Sequence, residues 1–394
     1  MKKNFRILHL CQDEKFIDGV IYLFEKAFPG LNKFVVMMPP ANPPIKYITN
    51  TNCDIDKIVQ SKNSGEELVL LEKSYDVVVL HGLNCLTAEL VIKSDNKNKF
   101  LWSVLGAELY QNKQLYSLSL LGSKTELLFN SVNSKVKIKD SIRRLYHKVR
   151  YNFIIPNSDS SERITRAASQ IENFGSLIKE EFNFLRDNNL LAPNATFQKL
   201  TYYPIEHFDN DTDITLFKDS NLLVGNSASF TNNHLEIFDI LKIIGIGSRK
   251  IIVPISYGNK QYQKSIIKAG NDLFGDQFVP LVNFLPIKAY NEVIQSCGIS
   301  IMNHYRQQGV GNILQSLWHG RKVYLSEKNM LFRYFNRIGC SVFSIEKELS
   351  TNNPNALKLL SEVEVEHNRR ILKSEISEKT LVKQLRNGFY EQYN

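Results

Sequence analysis

The stretch Asn303-His-Tyr-Arg306-Gln-Gln308-Gly309-Val-Gly311-Asn312 sets a guanidinium, side-chain amides and two glycines directly after the apolar run Ile299 to Met302. Apolar side chains then recur at helical spacing toward Gly320. The order is strand, tight turn, helix. The first amide N–H groups of such a helix have no intrahelical partner and point at the turn, where the dipole favours an anion. Arg306 adds a fixed positive charge, and glycines at 309 and 311 remove the Cβ atoms that would hold a diphosphate away from the main chain. No Gly-Lys-Ser/Thr follows, so this is not a Walker loop, and the third glycine of the dinucleotide fingerprint is absent. A plain strand-to-helix turn with a helix cap is the competing reading.

Similar turns follow other strands. Gly225-Asn226-Ser227 comes directly after Leu222-Leu-Val224, so its small side chains and amides fall at a strand end where a phosphate or sugar could rest. Tyr257, in Pro254-Ile-Ser-Tyr-Gly258, could stack on a base or donate to a phosphate. Taken singly each is ordinary turn chemistry. With Arg306 to Asn312 they line one edge of one sheet.

For proton transfer the candidates are Glu108, three residues past the run Leu101 to Leu105, and His81, between the run Tyr75 to Leu80 and Gly82. A carboxylate or imidazole there could deprotonate a hydroxyl. The bland alternatives are a first-turn acid that stabilises a helix and a packed loop histidine. His304 and His234 stay open as further imidazoles. No metal is expected. Asp211-Thr-Asp213 has the spacing of a cation-holding carboxylate pair but sits in a polar connection rather than at a strand end. Cys11, Cys53, Cys85, Cys297 and Cys340 are scattered without a CxxC, which reads as reduced thiols and no zinc site.

The elements that must carry these residues alternate strand and helix. Continuous apolar strands such as Val77-Val-Val-Leu80 imply parallel sheets covered on both faces. At 394 residues, 43% of them hydrophobic, the chain is long enough for two cores. The expected division is an N-terminal doubly wound domain over 1–205, a polar connection over 206–220 and a second doubly wound domain over 221–394, whose terminal helices pack back on the first. No signal peptide or bilayer-spanning run is visible.

The net charge is +9, from 49 Lys+Arg against 40 Asp+Glu, which favours an anionic partner. It is concentrated in Lys135 to Arg150. Ile138, Ile142, Leu145 and Val149 form an apolar stripe there, flanked by Lys137, Arg143, Arg144 and Lys148. A basic amphipathic helix of this kind suits an anionic membrane surface; a core helix with a basic outer face is the alternative. Aromatic platforms interleaved with cations are missing, so nucleic acid is not expected.

The wording Arg306-Gln-Gln-Gly-Val-Gly with Leu314, together with Leu222-Leu-Val-Gly-Asn-Ser227 and Phe100-Leu-Trp-Ser-Val-Leu-Gly-Ala-Glu-Leu-Tyr110, resembles glycosyltransferase family fifty-six. The likeness is clearest from Asn221 to Phe343; before that it thins to Leu80-His-Gly82 and the Trp102 to Tyr110 segment. The family includes the TDP-N-acetylfucosamine:lipid II N-acetylfucosaminyltransferase of enterobacterial common antigen synthesis. The resemblance implies the α/β GT-B fold, two Rossmann-like domains facing a cleft, and no metal cofactor. It implies a TDP-type nucleotide-sugar donor and puts these turns in the nucleotide-sugar half, so Gly225, Asn226, Ser227, Tyr257, Arg306, Gln308, Gly309, Gly311 and Asn312 are expected to hold the donor. It also implies a polyprenyl-diphosphate-linked glycan as acceptor and a peripheral location on the cytoplasmic face of the inner membrane. The two-glutamate signature of retaining GT-B enzymes is missing, since only Glu327 stands in the stretch after Gly309 where such a pair would fall. That favours inversion. The rivals are a sugar-nucleotide epimerase of the same fold and a non-enzymatic basic module for membrane or nucleic acid.

Overall fold

The structure is a computed structural model that describes residues 5–50, 53–61, 63–134, 160–208 and 221–393. The basic stretch with Lys137, Ile138, Ile142, Arg143, Arg144, Leu145, Lys148 and Val149, and the pair Asp211 and Asp213, lie outside them. The described residues form two compact units.

The first unit holds a parallel sheet of β1 (Ile7–Cys11), β2 (Asn32–Met38), β3 (Asp54–Val59), β4 (Val77–His81), β5 (Phe100–Ser103), β6 (Asn173–Ser176) and β7 (Thr196–Lys199). Their order is β3-β2-β1-β4-β5-β6-β7. The central strands are apolar without alternation, since helices cover both faces. The chain winds outward from β1 to β3, then returns to β4 on the other side of β1. The strand order therefore reverses between β1 and β4, and the loops leaving their carboxyl ends diverge.

The helix Glu378–Tyr393 completes this unit, burying Leu385 and Phe389 in the core of β1 and the helix Ile17–Ala27. Arg386 donates to the carbonyls of Ala27 and Lys26 at 2.9 and 2.8 Å. Those are the otherwise unpaired last carbonyls of that helix.

The second unit repeats the plan with β8 (Asn221–Val224), β9 (Ile251–Pro254), β10 (Phe278–Leu281), β11 (Cys297–Met302), β12 (Lys322–Leu325) and β13 (Phe343–Ser344). All neighbours are parallel, in the order β10-β9-β8-β11-β12-β13. Here the reversal falls between β8 and β11. The helix Ser123–Ser134 packs in this unit, although the sequence division assigns it to the first domain. The Glu236 carboxylate accepts from the Thr125 N–H at 2.9 Å and the Thr125 hydroxyl at 2.6 Å, and Gly122 N–H donates to Asn233 Oδ1 at 2.8 Å. Those bonds satisfy the amino end of the helix.

In the first unit the helix Ile17–Ala27 packs against the Tyr202 backbone at Gly19. A Cβ there would stand 2.1 Å from the Tyr202 carbonyl oxygen and 2.5 Å from the Tyr203 ring. Tyr202 and Tyr203 are themselves held, donating to the carbonyls of Val104 and Lys15 at 2.9 and 2.7 Å. We expect Gly19→Ala to destabilise the protein by about 2 kcal/mol, even though alanine gains about 1 kcal/mol in helix propensity. Urea unfolding checks this: a midpoint equal to or above the wild type would mean that the Tyr202 segment yields freely.

Candidate functional site

Each reversal point carries a cluster of polar side chains. In the second unit the cluster is built on Asn232, at the end of the short turn Phe230–Asn232. Asn232 Oδ1 accepts from the Asn226 N–H at 2.8 Å and lies 2.9 Å from His304 Nε2. Its Nδ2 donates to Ser227 Oγ at 3.1 Å. Gln308 Nε2 donates to Asn226 Oδ1 at 3.4 Å, and the Thr231 hydroxyl donates to Gln308 Oε1 at 2.6 Å. The loops after β8 and β11 are thus tied through the side-chain amides of Asn232 and Gln308. The loop after β9 joins them where Ala228 N–H donates to the Tyr257 carbonyl at 2.8 Å. A glycine is required at 258, because a Cβ would stand 2.5 Å from the Ala228 backbone at φ +122°.

Gly309 opens the helix Val310–Trp318 in the left-handed conformation at φ +65°, with no side-chain cap. A Cβ at 309 would meet Asn226 Nδ2 at 2.9 Å, so this glycine serves packing as well as the turn. Gly311 differs: it is exposed, and its nearest neighbour is the Phe208 ring at 4.0 Å. The first intrahelical bond runs from the Ile313 N–H to the Gly309 carbonyl, which leaves the preceding N–H groups without a partner in the helix. Asn312 shares this first turn, and Arg306 lies near enough to help depress the pKa of His304. The Tyr257 hydroxyl lies close to Ser227 while the residue stays exposed. All nine residues read from the sequence as donor-binding therefore sit on three neighbouring loops of one unit or on the first turn of the helix that follows one of them.

In the first unit the carboxyl ends of β1 and β4 border an open hollow of about 620 Å³. Gln12 and Glu14 line it from the β1 side, His81 to Cys85 from the β4 side, and Glu108, Gln111 and Asn112 from beyond β5. Sequence reading gave Glu108 and His81 as alternative bases, and both border the hollow. Gly106, at φ +100°, makes the turn before the short helix Ala107–Tyr110. From that helix Glu108 Oε1 reaches back to accept the Leu105 N–H at 2.9 Å and Trp102 Nε1–H at 3.2 Å. Desolvation raises its pKa against those bonds. Behind it Glu181, fully buried, accepts from the Tyr110 hydroxyl at 2.7 Å and from Ser176. Burial pushes Glu181 up to about 7.

His81 is buried, lies 3.0 Å from His9 through Nε2, and has no partner at Nδ1. Desolvation pushes it down to about 3, and His9 well below the usual imidazole range. His234 and His304 are likewise pushed down to about 3 by burial. Among the described residues no group of three or more His, Cys, Asp or Glu stands close enough to hold a metal, and no helix is long and apolar enough to cross a membrane.

Sequence reading missed Asn232, Thr231, His9 and Glu181. The polar run Thr231-Asn-Asn-His234 after the glycine turn was a usable signal for the first two. His9 sits inside an apolar strand and Glu181 among the first-turn acids of the helix Lys179–Asp187, so neither stands out.

These shifts give the two units different acid responses. A histidine lowered in the fold binds its proton first in the unfolded chain, so stability falls as pH drops below about 6.5, by up to about 1.4 kcal/mol per pH unit for each. A carboxyl raised in the fold does the reverse. In the second unit His234 and His304 act without raised carboxyls among the described residues. In the first, His9, His81 and His207 are opposed by Glu14, Glu108 and Glu181. Between pH 6.5 and 5, hydrogen exchange corrected for intrinsic rates should show β8 and β11 losing protection faster than β1 and β4. Equal loss would contradict the assignment.

Residues 182–367 match the family model described as 4-alpha-L-fucosyltransferase, glycosyl transferase group 56. Solved structures with the same fold over nearly the whole chain include a glycosyltransferase from Rickettsia africae, 10% identical, with a TM-score of 0.60 and 99% of each chain covered. HepE from Anabaena, solved with UDP and glucose, is 10% identical at a TM-score of 0.60, over 98% of this chain and all 100% of that one. The lipopolysaccharide outer core galactosyltransferase WaaB, in apo form, is 10% identical at a TM-score of 0.57, over 98% of this chain and 100% of its own. At that identity the structural likeness speaks for the fold, while the family match speaks for the chemistry. The chain is a glycosyltransferase of GT-B fold that carries the group 56 pattern over residues 182–367.

Proposed function

We propose that this glycosyltransferase moves an acetamido-deoxy sugar resembling N-acetylfucosamine from a TDP-type nucleotide sugar to a glycan on polyprenyl diphosphate, with inversion, in bacterial surface polysaccharide synthesis. The observation that carries the donor half is the uncapped helix end at Gly309 beside Arg306, at the reversal point of the second sheet. Amide dipoles and a guanidinium there stabilise the charge that develops on a departing diphosphate, which metal ions do in other enzymes. The family description names a fucosyltransferase, and HepE was solved with UDP and glucose, which supports a nucleotide diphosphate. The acceptor and the cytoplasmic face of the inner membrane rest on the family resemblance and on the basic stretch Lys137 to Val149. Screening nucleotide sugars against prenyl-diphosphate glycans in anionic vesicles tests the pairing; no transfer from any TDP- or UDP-linked acetamido sugar would sink it.

Gly311 is exposed with open space around it, so Gly311→Val should keep the fold while putting a branched side chain in the anion's path. By calorimetry, TDP or UDP affinity should fall at least tenfold, with or without magnesium, and the melting temperature should stay unchanged. Arg306→Ala should raise the barrier to transfer by about 2 to 4 kcal/mol. Wild-type affinity in the Gly311→Val variant would move the phosphate site elsewhere.

For the acceptor, we propose that His81 Nδ1 takes the hydrogen of the attacking hydroxyl, because it is a buried acceptor without a partner at the wall of the hollow. A second reading gives that task to Glu108, whose raised pKa makes it the stronger base although its Oε1 is already engaged. The pH profile separates them. A base must be unprotonated to act, so a Glu108 mechanism loses rate as pH falls through a carboxyl pKa above 4.5, whereas His81, at about 3, stays neutral and active at pH 5. We expect His81→Gln to lose roughly 100-fold in kcat and Glu108→Gln less than tenfold. The opposite ranking would transfer the role to Glu108.

A further inference from the structure

The hydrogen bonds behind His81 all run in one direction, and that direction decides which of its nitrogens is bare. Asn32, at the start of β2, donates through Nδ2 to Glu25 Oε1 at 2.7 Å and to the Phe28 carbonyl at 2.8 Å. Both of those partners are acceptors, so the amide cannot be turned round, and Asn32 Oδ1 is the atom 3.2 Å from His9 Nε2. An amide oxygen only accepts. His9 Nε2 must therefore carry the proton. His9 is fully buried, stacked on Phe34 at 4.1 Å and set edge-on to Phe24 at 4.4 Å, with no room for water to solvate a charge. A neutral imidazole with its proton on Nε2 presents a lone pair at Nδ1. His81 Nε2, 3.0 Å away, is left to donate. The one remaining ring nitrogen, His81 Nδ1, is then an unprotonated acceptor, buried and unpartnered, on a ring that lines the hollow.

The sheet register explains why the two rings meet. His9 pairs with Val79, and His81 lies two residues further along β4, so both side chains emerge on the same face of adjacent strands. Phe34 pairs with His9 on the other side, which puts the stacking ring on that face too.

We propose that His9 is a positioning residue: through Asn32 and Glu25 it fixes His81 as the Nε2–H tautomer, so that its buried Nδ1, on a residue that lines the hollow, is left bare to receive a hydroxyl hydrogen. The inference extends the proposed role of His81 but has a readout of its own. A hydroxyl donating to Nδ1 continues the chain from His81 to His9 to Asn32 to Glu25, each donor pointing toward the carboxylate. Positive charge gathering on His81 is stabilised along that line. The other tautomer would put an N–H at Nδ1, which repels a hydroxyl hydrogen, and would leave His81 Nε2 and His9 Nδ1 as two lone pairs facing each other.

Two-bond ¹⁵N–¹H spectra of histidine-labelled protein at pH 7.5 read the tautomer directly, with no substrate needed. In the wild type, His81 should show a protonated Nε2 and a bare Nδ1, and so should His9. His9→Phe keeps the stacking ring but removes the acceptor, and should shift His81 to a mixture or to the Nδ1–H form. His9→Gln restores an oxygen that accepts from His81 and an amide that donates to Asn32, and should return His81 to the wild-type pattern. A proton on His81 Nδ1 in the wild type overturns the inference. So does an unchanged His81 spectrum in a folded His9→Phe protein. Should His9→Phe fail to fold, the wild-type spectrum still decides. Full transfer activity in His81→Gln, by contrast, would refute only the proton-acceptor role and leave the tautomer assignment standing.

Discussion

A parallel sheet wound from its middle outward in both directions leaves one gap that its own helices cannot fill, at the carboxyl ends of the two strands where the order reverses. This chain builds that gap twice, between β1 and β4 and between β8 and β11. Diverging loops expose the strand ends, and the parallel alignment brings every loop that follows a strand to the same edge. The side chains with chemistry are gathered there. His81 ends β4, Gln12 and Gly82 follow the first pair of strands, and Gly225 to Ser227 and Asn303 to Gly309 follow the second. Packing elsewhere serves to keep those strand ends in register. The close packing at Gly19 holds the segment around Tyr202 that ties back to the β5 loop.

The two gaps are finished with different materials. In the second unit a side-chain amide, Asn232, ties two loops together and leaves a helix end open. That is an arrangement of fixed dipoles with a guanidinium nearby, suited to a compact anion. In the first unit imidazole, amide and carboxyl groups face an open hollow, and among the described residues lining it there is no lysine or arginine. A surface of that kind favours hydroxyl groups over phosphates, because it offers many acceptors and no compensating positive charge.

Much of this was legible in the sequence because long buried strands announce themselves. Val77 to Leu80, Leu222 to Val224 and Ile299 to Met302 are apolar without alternation, and the glycines that end them mark the turns. Five strands escaped. β6, Asn-Phe-Gly-Ser, and β7, Thr-Phe-Gln-Lys, are four residues long and half polar. They become strands only because β5 offers a ladder to extend. β3 and β10 lie at sheet edges, one largely exposed and the other interrupted by Pro280, and β13 has two residues. The helix Ser123–Ser134 could not be assigned to its unit, since the Glu236 carboxylate that caps it is more than a hundred residues away. Among candidate site residues, those beside glycine turns could be picked out of the sequence and those brought in by geometry could not. His9 looks like an interruption in an apolar strand until Asn32 and His81 are seen on either side of it.

Burial and amide orientation together determine what a histidine can do in either unit. Desolvation makes the ring neutral, which leaves one N–H and one lone pair; a neighbouring amide oxygen, able only to accept, then decides which nitrogen is which. In the first unit Asn32 acts on His9 and, through it, on His81. In the second, Asn232 Oδ1 accepts from the Asn226 N–H and cannot donate, so His304 carries its proton on Nε2 and its lone pair on the buried, unpartnered Nδ1. That lone pair favours an O–H or N–H and disfavours a phosphate oxygen. In the proposed donor site the groups suited to an anion are therefore the helix end at Gly309 and Arg306, not the imidazole beside them.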